Sequence, residues 1–463
     1  MSERSGTPAT GTRERGRGRG MALGGDTVYA LDDCRVVFVP RGAPGDVADL
    51  ALTGTTRGVL HGHLAELIHA GPGRVEPPCP FFRAGCGGCQ WQQLSYATQL
   101  AQKQEILRES LRRLGKLDAP PLLDAIPAPD PWNYRTAIQL HVDPEGRIAF
   151  TGAHSHELVP IDTCLIAHPL LNRLIIALNS PLAQAILRDR VAAIRSIAAR
   201  IAVAEGQEHL LLLIRSHGGR ARYSRRLVET LRLELPEIAS ASLLLLPEEG
   251  EPARKRLQPV LQSFVGDPFL AHEVGGHRFF VGATAFFQIH AAQTERLLTI
   301  VRAVVAAERP HGLLDLYSGV GLFALHLADL TGEVIGYESQ PEAIRLAERA
   351  LEVQLQHHPA GSPGANARVR FYRADVETLR TDDLLGADVV IVDPPRAGLP
   401  NQLINCLMTG DPRCLIYVSC EPSSLARDLR RLTGGGWRLE SVQLLDMFPQ
   451  TYHIESVSVL RRP

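Results

Sequence analysis

One thiol in this chain lies where a nucleophile could act. The stretch CLIYVSCEPSSLARDL places Cys420 directly after an apolar run and two residues before Pro422. Free cysteine packs in many cores as a small hydrophobe, and it becomes a nucleophile only where its surroundings favour the thiolate. If the apolar run is a buried strand, Cys420 lies at the strand end. The stretch alone leaves both a core role and a nucleophilic role open.

Three more cysteines lie close together in CPFFRAGCGGCQWQQ, at Cys79, Cys86 and Cys89. The others stand apart from them in the sequence: Cys34, Cys164, Cys406 and Cys414. The N-terminus has no apolar secretory segment, so we expect a cytoplasmic protein with reduced thiols, in which clustered cysteines favour a metal or a catalytic role. If one of the separate cysteines joined these three, the four thiolates would suit structural zinc or an iron–sulfur cluster.

A glycine loop follows the apolar segment GLLDL. In LDLYSGVGLFAL, Gly319 and Gly321 lie between an expected strand and an expected helix, where backbone amides can approach a ligand. The spacing also suits a dinucleotide. Asp315, four residues before the first glycine, would repel a pyrophosphate and would suit a ligand that carries an ammonium and a sulfonium group.

Two further acids end the next two apolar segments. Glu338 ends EVIGYE, where a carboxylate can accept hydrogen bonds from ribose hydroxyls, and Asp375 ends VRFYRAD, where it could hold an adenine amino group. Because parallel strands end at one edge of a sheet, these acids and the glycine loop favour S-adenosylmethionine over NAD. An NAD-dependent oxidoreductase is the alternative.

In the segment VIVDPPRAGL, Asp393 is another acid that ends an apolar run. The two prolines after it restrict the loop that carries the carboxylate. A methyltransferase that acts on amino groups would place an aromatic residue after the prolines, whereas this chain has Arg396. The segment therefore favours methylation of carbon.

Carbon 5 of a pyrimidine is a poor nucleophile, so its methylation calls for a thiolate that first adds to carbon 6. Cys420 could supply that thiolate. A base must then remove the proton from carbon 5, and DMFPQTYHIESVSVL offers His453 and Glu455 on a late strand. Each of the two could instead be an ordinary packing or surface residue.

The elements that position these residues divide the chain into four parts. Residues 1–21 contain five arginines and two glutamates before Met21 and predict a disordered basic tail. Short strands predict an OB-like β-barrel over 22–77. Residues 78–280 predict a mixed α+β domain, and alternating strands and helices predict a Rossmann-like α/β domain over 281–463.

One helix is predicted after the clustered cysteines, ending at Gly115. The apolar residues of its buried face are Tyr96, Leu100, Leu107, Leu111 and Leu114.

Composition limits the class of protein. The chain has 463 residues, of which 45% are hydrophobic and 21% charged, so it can form several globular domains. No run of apolar residues is long enough to span a membrane. With a formal net charge of −1, binding to nucleic acid would depend on local basic patches. We expect a monomer.

Five segments resemble the bacterial RNA uracil-C5 methyltransferases, which use S-adenosylmethionine to make 5-methyluridine. These segments are FFQIH, LDLYSGVGLF, VIVDPPRAGL, YVSCEPSSLARDL and DMFPQTYHIESV. Upstream, VVFVPRGAPGDV and GRVEPPCPFFRAGCGGCQWQQL are similar to the RNA-binding TRAM barrel and the iron–sulfur segment of the ribosomal RNA branch. The resemblance covers nearly all of the chain after residue 21.

The resemblance implies a class I methyltransferase fold, Cys420 as nucleophile and Glu455 as the base. The cofactor-pocket residues that it implies are Gln288, Tyr317, Glu338 and Asp393. It also places a fourth cysteine ligand at Cys164. Zinc sites usually bring two close pairs of cysteines, whereas here three are close together and one lies 75 residues away. Largely on the resemblance, we therefore expect a [4Fe-4S] cluster held by Cys79, Cys86, Cys89 and Cys164.

The implied partner is RNA, in particular 23S ribosomal RNA, because the transfer-RNA branch typically lacks both barrel and cluster. Transfer-RNA uracil-C5 and RNA cytosine-C5 methyltransferases are alternatives, as is an iron–sulfur RNA-binding module without activity. Two residues depart from the family pattern: Glu421 stands where the family has Asn or Asp, and His290 stands where it has Asn. The remaining cysteines, Cys34, Cys406 and Cys414, are expected in the core.

Overall fold

The computed structural model describes residues 11–153, 155–189, 193–217, 221–246, 260–357 and 368–462. Its strands are β1 Arg13–Met21, β2 Thr27–Leu31, β3 Val36–Val39, β4 Val47–Thr56, β5 Val59–His69, β6 Ala137–Val142, β7 Ile148–Thr151, β8 Leu158–Pro160, β9 Ile194–Ala204, β10 Gln207–His217, β11 Ile238–Leu246, β12 Val260–Val265, β13 Phe269–Val274, β14 His277–Gly282, β15 Gly312–Leu316, β16 Glu333–Glu338, β17 Arg368–Arg373, β18 Val389–Val392, β19 Cys414–Ser419, β20 Arg438–Leu445 and β21 Glu455–Arg461. Its α-helices are α1 Pro80–Arg83, α2 Tyr96–Arg113, α3 Pro169–Leu178, α4 Pro181–Leu187, α5 Ala221–Arg232, α6 Ala291–Glu308, α7 Leu322–His326, α8 Pro341–His357, α9 Asn401–Thr409 and α10 Pro422–Gly434.

A closed five-stranded barrel forms the N-terminal part, in the order β1-β2-β3-β5-β4. Its core includes Tyr29, Val37, Leu50 and Leu52, all fully or almost fully buried. The barrel agrees with the expectation of a small N-terminal β-barrel.

The first strand differs from the expectation of a disordered tail over 1–21. Residues 13–21 pair with both β2 and β4 and so close the barrel, while residues 1–10 lie outside the described part of the chain. This segment can form a strand because its residues alternate: Arg15 and Arg17 point outward, and Gly16 and Gly18 are buried. The buried glycines let the neighbouring residues of the barrel pack directly against the backbone of the strand.

Gly16 and Gly18 are required because neighbouring atoms of the barrel leave no room for a side chain. A Cβ atom on Gly18 would lie 2.2 Å from the carbonyl oxygen of Ala43, and one on Gly16 would lie 2.9 Å from a methyl group of Leu50. No larger residue fits at Gly18 without movement of the backbone.

The central part holds a seven-stranded sheet in the order β12-β11-β10-β9-β6-β7-β8. Helices α3, α4 and α5 contribute to one core with this sheet, through residues such as Leu174, Ile186 and Leu227. The hairpin of β13 and β14 follows and leads to α6.

The C-terminal sheet has the order β17-β16-β15-β18-β19-β21-β20. The first five strands of this order are parallel to one another, and β21 is antiparallel to both β19 and β20. β18 and β19 are buried along their whole length, as expected for a sheet covered by helices on both faces. This arrangement is the predicted Rossmann-like fold.

Helix α2 packs against the C-terminal domain. Its residues Ile106, Leu107 and Leu111 share a core with Leu425 and Leu429 of α10. The predicted face is correct at Leu107 and Leu111, but Leu114 is 48% exposed. Two polar residues on this helix, Gln99 and Lys103, are fully buried instead, for reasons that become clear below.

No single helix in the described ranges is long and apolar enough to cross a membrane. Helices α3 and α4 reach that length and apolar character only together, with a 70° bend between them.

Candidate active site

A cleft of about 1210 Å³ opens at the edge where the parallel strands of the C-terminal sheet end. This is the position at which open α/β sheets bind ligands. Eight of the ten residues predicted for catalysis and cofactor binding line it: Gln288, Tyr317, Gly319, Glu338, Asp375, Asp393, Cys420 and Glu455. The other two do not line it: Asp315 lies beneath the glycine loop, and Gly321 lies at the end of that loop, directly before α7.

Strand direction brings Cys420 and Glu455 together. Cys420 directly follows β19, and Glu455 is the first residue of β21. Because the two strands are antiparallel and Ser419 pairs with Ser456, the next residues outward, Cys420 and Glu455, meet at the same edge. A parallel β21 would have placed Glu455 at the opposite edge.

The carboxyl groups in this part of the cleft hold their protons unusually well. Burial raises the pKa of Asp393 to about 7. Burial, followed by the charge of Asp393, raises the pKa of Glu455 well above its ordinary value. Two such carboxyls, one buried at Glu455 and one half-buried at Asp393 in the cleft wall, form a site where protons can be taken up and released.

The thiol responds to the same surroundings. Burial, followed by the charges of Glu455 and Asp393, raises the pKa of Cys420 to about 12, while Arg396 acts in the opposite direction. Near neutral pH the free protein therefore holds Cys420 as a thiol. Any attack by this sulfur on a substrate would require the loss of that proton.

His453 lies beside these groups and contacts Arg396, whose Nη2 donates to His453 Nδ1 over 3.1 Å. Burial, followed by the charge of Arg396, lowers the pKa of His453 to about 4. The imidazole is therefore neutral near pH 7 and accepts from the guanidinium. Of the two bases considered from the sequence, Glu455 is the one adjacent to Cys420 across the strands.

The glycine loop and the second strand are joined at the cleft. The amide of Gly319 donates to Glu338 Oε2 over 3.1 Å, and the amide of Gln340 donates to Glu338 Oε1 over 2.7 Å. These bonds hold the Glu338 carboxylate at the end of β16, where a ribose could reach it. Tyr317 also lines the cleft, with φ of 64°, a conformation that non-glycine residues rarely adopt.

Asp315 does not line the cleft, contrary to the expectation that it contacts the ligand. Its side chain is fully buried, and its Oδ2 accepts from the amide of Ala324 over 2.9 Å. Burial raises the pKa of Asp315 to about 8. The residue therefore holds the start of α7 in place beneath the loop.

Gly321 has a similar supporting role. Its φ is 82°, and a Cβ atom there would lie 2.8 Å from the ring of Phe371. Asp375 does line the cleft, and its Oδ1 accepts from the amide of Glu377 over 3.0 Å. Gln288 is buried in the cleft wall.

Glu421 and His290, the two residues that depart from the family pattern, have different surroundings. Glu421 caps α10, because its Oε1 accepts from the hydroxyl of Ser423 over 2.9 Å and from the Ser423 amide over 3.4 Å, which is what Asn or Asp does at a helix start. His290 is buried and stacks on Tyr134, with 4.7 Å between ring centres, and it does not line the cleft.

A second cavity, of about 180 Å³, is lined by all four cysteines predicted as ligands, Cys79, Cys86, Cys89 and Cys164. The thiols are close enough to influence one another. Burial raises the pKa of Cys89, and charge on the three other thiols would raise it further, although a hydrogen bond from Gln92 acts in the opposite direction.

The described residues contain no group of three or more His, Cys, Asp or Glu side chains placed to hold a single metal ion. The four thiols instead surround a cavity with apolar walls that include Phe81, Phe82 and Phe150. A donor set made only of cysteines in such a cavity fits the chemistry of an iron–sulfur cluster.

The three cysteines expected in the core differ in their exposure. Cys406 and Cys414 are buried as expected, but Cys34 is exposed and the core expectation for it is wrong. Its φ of 69° places it in a turn between β2 and β3, where its side chain points away from the barrel core.

Several cleft residues were not predicted. Gly87 and Gly88 line both the cleft and the cysteine cavity, and Gln90 and Tyr134 line the cleft. The paired glycines between Cys86 and Cys89 were the only signal, since glycine permits close approach of backbones. Nothing in the sequence indicates that this segment would form a wall of the methyltransferase cleft.

The fold and the cleft define a class of protein, a methyltransferase with a doubly wound sheet and a cysteine at a strand end. Comparison with known proteins agrees. A sequence profile of the tRNA (uracil-5-)-methyltransferases matches residues 271–463. An uncharacterised RNA methyltransferase of Gloeobacter violaceus is 32% identical over 96% of this chain and 95% of its own length. Another, from Halalkalibacterium halodurans, is 31% identical over 92% of each chain.

A solved structure is similar over the whole length. It is the tRNA (uracil-54, C5)-methyltransferase of Pyrococcus abyssi in complex with S-adenosyl-L-homocysteine, with a TM-score of 0.71 and 23% identity, covering 96% of this chain and 100% of the other. This likeness confirms the predicted α/β fold of S-adenosylmethionine-dependent methyltransferases. The chain therefore belongs to the uracil-5 family of S-adenosylmethionine-dependent RNA methyltransferases.

Proposed function

We propose that the protein transfers a methyl group from S-adenosylmethionine to carbon 5 of a uridine in RNA, through a covalent bond between Cys420 and carbon 6. The observation that carries this proposal is the placement of Cys420 beside Glu455 and Asp393 at the edge of the sheet. The wall formed by Gln288, Tyr317 and Glu338 would hold S-adenosylmethionine, which supplies an electrophilic methyl group.

The Cys420 sulfur forms a bond to carbon 6 of the uracil ring, and the electrons of the 5,6 double bond move to carbon 5. The thiol must lose its proton in this step, and the neighbouring carboxylate of Asp393 is placed to receive it, which leaves Glu455 free to accept the second proton. Carbon 5 then takes up the methyl group as the bond between that group and the sulfonium sulfur breaks, which leaves S-adenosylhomocysteine.

Glu455 completes the reaction as the base. It removes the proton from carbon 5, the 5,6 double bond forms again, and the bond between sulfur and carbon 6 breaks to release the thiolate. The raised pKa of Glu455 suits this role, because a carboxylate with a higher pKa is a stronger base. The target base has to leave its stack to reach Cys420.

The proposal can be tested with RNA that carries 5-fluorouridine, since fluorine cannot be removed as a proton is. Incubation with S-adenosylmethionine should give a denaturant-resistant protein–RNA band with the wild type, and Cys420→Ala should abolish the band while cofactor binding persists. Glu455→Gln should form the band even with ordinary uridine, because only elimination is blocked. Methylation of uridine by Cys420→Ala would overturn the proposal.

We also propose a [4Fe-4S] cluster bound by Cys79, Cys86, Cys89 and Cys164. The cavity that they share, its apolar lining and its all-cysteine donors support this assignment. The cluster would hold α1 and the β8–α3 segment together, since methyl transfer needs no redox step. The cluster-bearing cavity shares Gly87 and Gly88 with the cleft, so its occupancy also affects the shape of the active site.

The proposed substrate is 23S ribosomal RNA, on the grounds that barrel and cysteine set occur together, and the barrel is proposed to bind RNA. Arg13, Arg17 and Arg19 lie exposed on its first strand, where they can contact phosphates. A transfer-RNA substrate is the second candidate, because the Pyrococcus abyssi enzyme acts on uracil 54 of tRNA and shares the fold over its full length. A monomer in the cytoplasm stays a prediction.

Nucleoside mass spectrometry of separated RNA fractions from a deletion strain distinguishes the two substrates. Loss of 5-methyluridine from 23S ribosomal RNA alone supports the first, and loss from transfer RNA alone supports the second. The same measurement tests the cytosine alternative, which requires loss of 5-methylcytidine.

A further inference from the structure

A buried ion pair links α2 to the active site without lining the cleft. Lys103 Nζ donates to Asp446 Oδ1 over 2.7 Å, and both side chains are fully buried. Removing two charges from water is costly, and a buried pair often stabilises a protein less than apolar residues of the same size would. The pair therefore calls for an explanation other than stability.

Asp446 begins the segment that leads to Glu455, the proposed base. Residues 446–454, which we call the β20–β21 loop, connect β20 to β21, whose first residue is Glu455. Phe448, Thr451 and His453 of this loop line the cleft. The position of the loop sets where Glu455 and His453 lie relative to Cys420.

Lys103 holds the start of this loop at two points. Its Nζ donates to the carbonyl oxygen of Phe448 over 2.9 Å, in addition to Asp446. The other carboxylate oxygen of Asp446 accepts from the hydroxyl of Tyr96 over 2.9 Å. Burial lowers the pKa of Lys103, and the charge of Asp446 opposes that effect.

The middle of the loop is held by the same part of the chain. The carbonyl oxygen of Gln450 accepts from the amides of Gln90 and Trp91, each over 3.0 Å. The side chain of Gln99 accepts from the Gln450 amide and donates to the Gln450 side chain, both over 2.9 Å. Gln450 has φ of 68°, so these bonds hold the loop in a conformation that is rare for a non-glycine residue.

These contacts explain why α2 buries Gln99 and Lys103 on its apolar face. Each polar side chain is placed where the loop offers a partner, and every one of these bonds reaches either Asp446, Phe448 or Gln450. The helix and the segment directly after Cys89 together form a clamp on the β20–β21 loop.

We propose that Lys103 and Asp446 are positioning residues, whose ion pair fixes the β20–β21 loop so that Glu455 and His453 face the uridine bound to Cys420. This inference rests on the proposed function. It predicts that loss of the pair slows the chemical steps even when the fold is intact.

The test separates positioning from stability with the variants Lys103→Met and Lys103→Met/Asp446→Asn. The single variant leaves a buried charge unpaired and should lower the unfolding temperature, whereas the double variant removes both charges and should recover most of that loss. The rate of adduct formation with 5-fluorouridine RNA, in a single turnover at saturating RNA and cofactor, should stay about tenfold or more below wild type in the double variant. Affinity for S-adenosylhomocysteine should stay within about twofold of wild type.

Two further variants keep the test decisive. Tyr96→Phe removes one hydrogen bond to Asp446 and should fold even if Lys103→Met does not, with a several-fold slower adduct. Glu308→Gln removes the ion pair with Arg461 at the far end of β21 and should leave the rate unchanged. A double variant that recovers rate together with unfolding temperature, or a Tyr96→Phe rate equal to wild type, would overturn the inference. Failure of the wild type to form any adduct would instead overturn the proposed function.

Discussion

At the scale of single residues, acids that look alike in the sequence have different surroundings. Glu338, Asp315 and Asp375 each follow or lie in a strand, and all three were predicted to contact the cofactor. Glu338 and Asp375 line the cleft, whereas Asp315 is fully buried beneath the glycine loop. The sequence indicates which strand end an acid occupies, but strand twist and loop path decide whether its side chain faces the ligand.

Glu338→Ala should weaken binding of S-adenosylmethionine by about 1 to 3 kcal/mol, because a charge-assisted hydrogen bond to the ribose is lost. Isothermal calorimetry measures this directly. Glu333→Ala, at the opposite end of the same strand, serves as the control and should bind as the wild type does. Equal affinity for both variants would mean that the ribose lies elsewhere.

Asp315→Asn should change how stability depends on pH. Between about pH 4 and pH 8 the folded wild type keeps the Asp315 proton, since burial raises its pKa to about 8, while the unfolded chain releases it. The wild type therefore loses stability as pH rises through this range, at roughly 1.4 kcal/mol per unit of pKa difference. The variant should gain stability relative to wild type from pH 4 to pH 8, as measured by denaturant unfolding without cofactor.

The matched control has the opposite sign. Asp329 pairs with Arg302, and the hydrogen bond from that arginine lowers the pKa of Asp329, so its contribution is present above pH 4 and lost in acid. Asp329→Asn should thus be less stable than wild type at pH 7 and equal to it at low pH. A flat difference for Asp315→Asn across the range would contradict the buried-carboxyl assignment.

At the scale of elements, the strands of the C-terminal sheet were largely predictable and their directions were not. Apolar runs such as VVIV in β18 are buried on both faces, and this pattern is visible in the sequence. The antiparallel direction of β21, which brings Glu455 to Cys420, leaves no such pattern. Lys103 gave a weak signal, because it lies three residues after Leu100 and four before Leu107, on the predicted apolar face of α2.

The first barrel strand was missed because its composition resembles that of disordered segments. RERGRGRG contains no large apolar residue, but its charged residues and glycines alternate with the period of a strand. Glycine takes the inward positions because Ala43 and Leu50 approach the strand too closely for a side chain. Charge content predicts disorder only where the chain has no partner strands to satisfy its backbone. Here β2 and β4 supply them.

Gly18→Ala should destabilise the barrel by about 1 to 3 kcal/mol or more, since the added methyl group meets the backbone of Ala43. Gly20→Ala in the same strand meets only the flexible side-chain end of Gln102, at 3.3 Å, and should change stability by about 0.5 kcal/mol or less. Chemical denaturation of the two variants checks the contrast. Equal stabilities would place β1 outside the barrel.

At the scale of the whole molecule, the cysteine cavity, the clamp on the β20–β21 loop and the cleft form one continuous unit. Cys89 is followed at once by Gln90 and Trp91, whose amides hold Gln450, and this loop leads to Glu455. The regions that the sequence patterns separate are therefore joined through their backbones, and the proposed cluster would support the loop that leads to the proposed base, Glu455.

Protein purified without oxygen should be brown and contain about four irons per chain. Cys86→Ser should lower both the iron content and the unfolding temperature, because cluster binding is coupled to folding. Cys34→Ser changes an exposed thiol and should leave both unchanged. Stoichiometric zinc in place of iron would overturn the cluster assignment.

The closing strand of the barrel has a practical consequence for anyone who shortens the chain. A version that starts at Ala22, trimmed on the assumption that arginine- and glycine-rich ends are dispensable, would lose β1 and leave β2 and β4 with unpaired edges. Such edges recruit strands from other molecules. The shortened protein should therefore associate or precipitate, and the arginines removed with β1 would otherwise have kept its surface soluble.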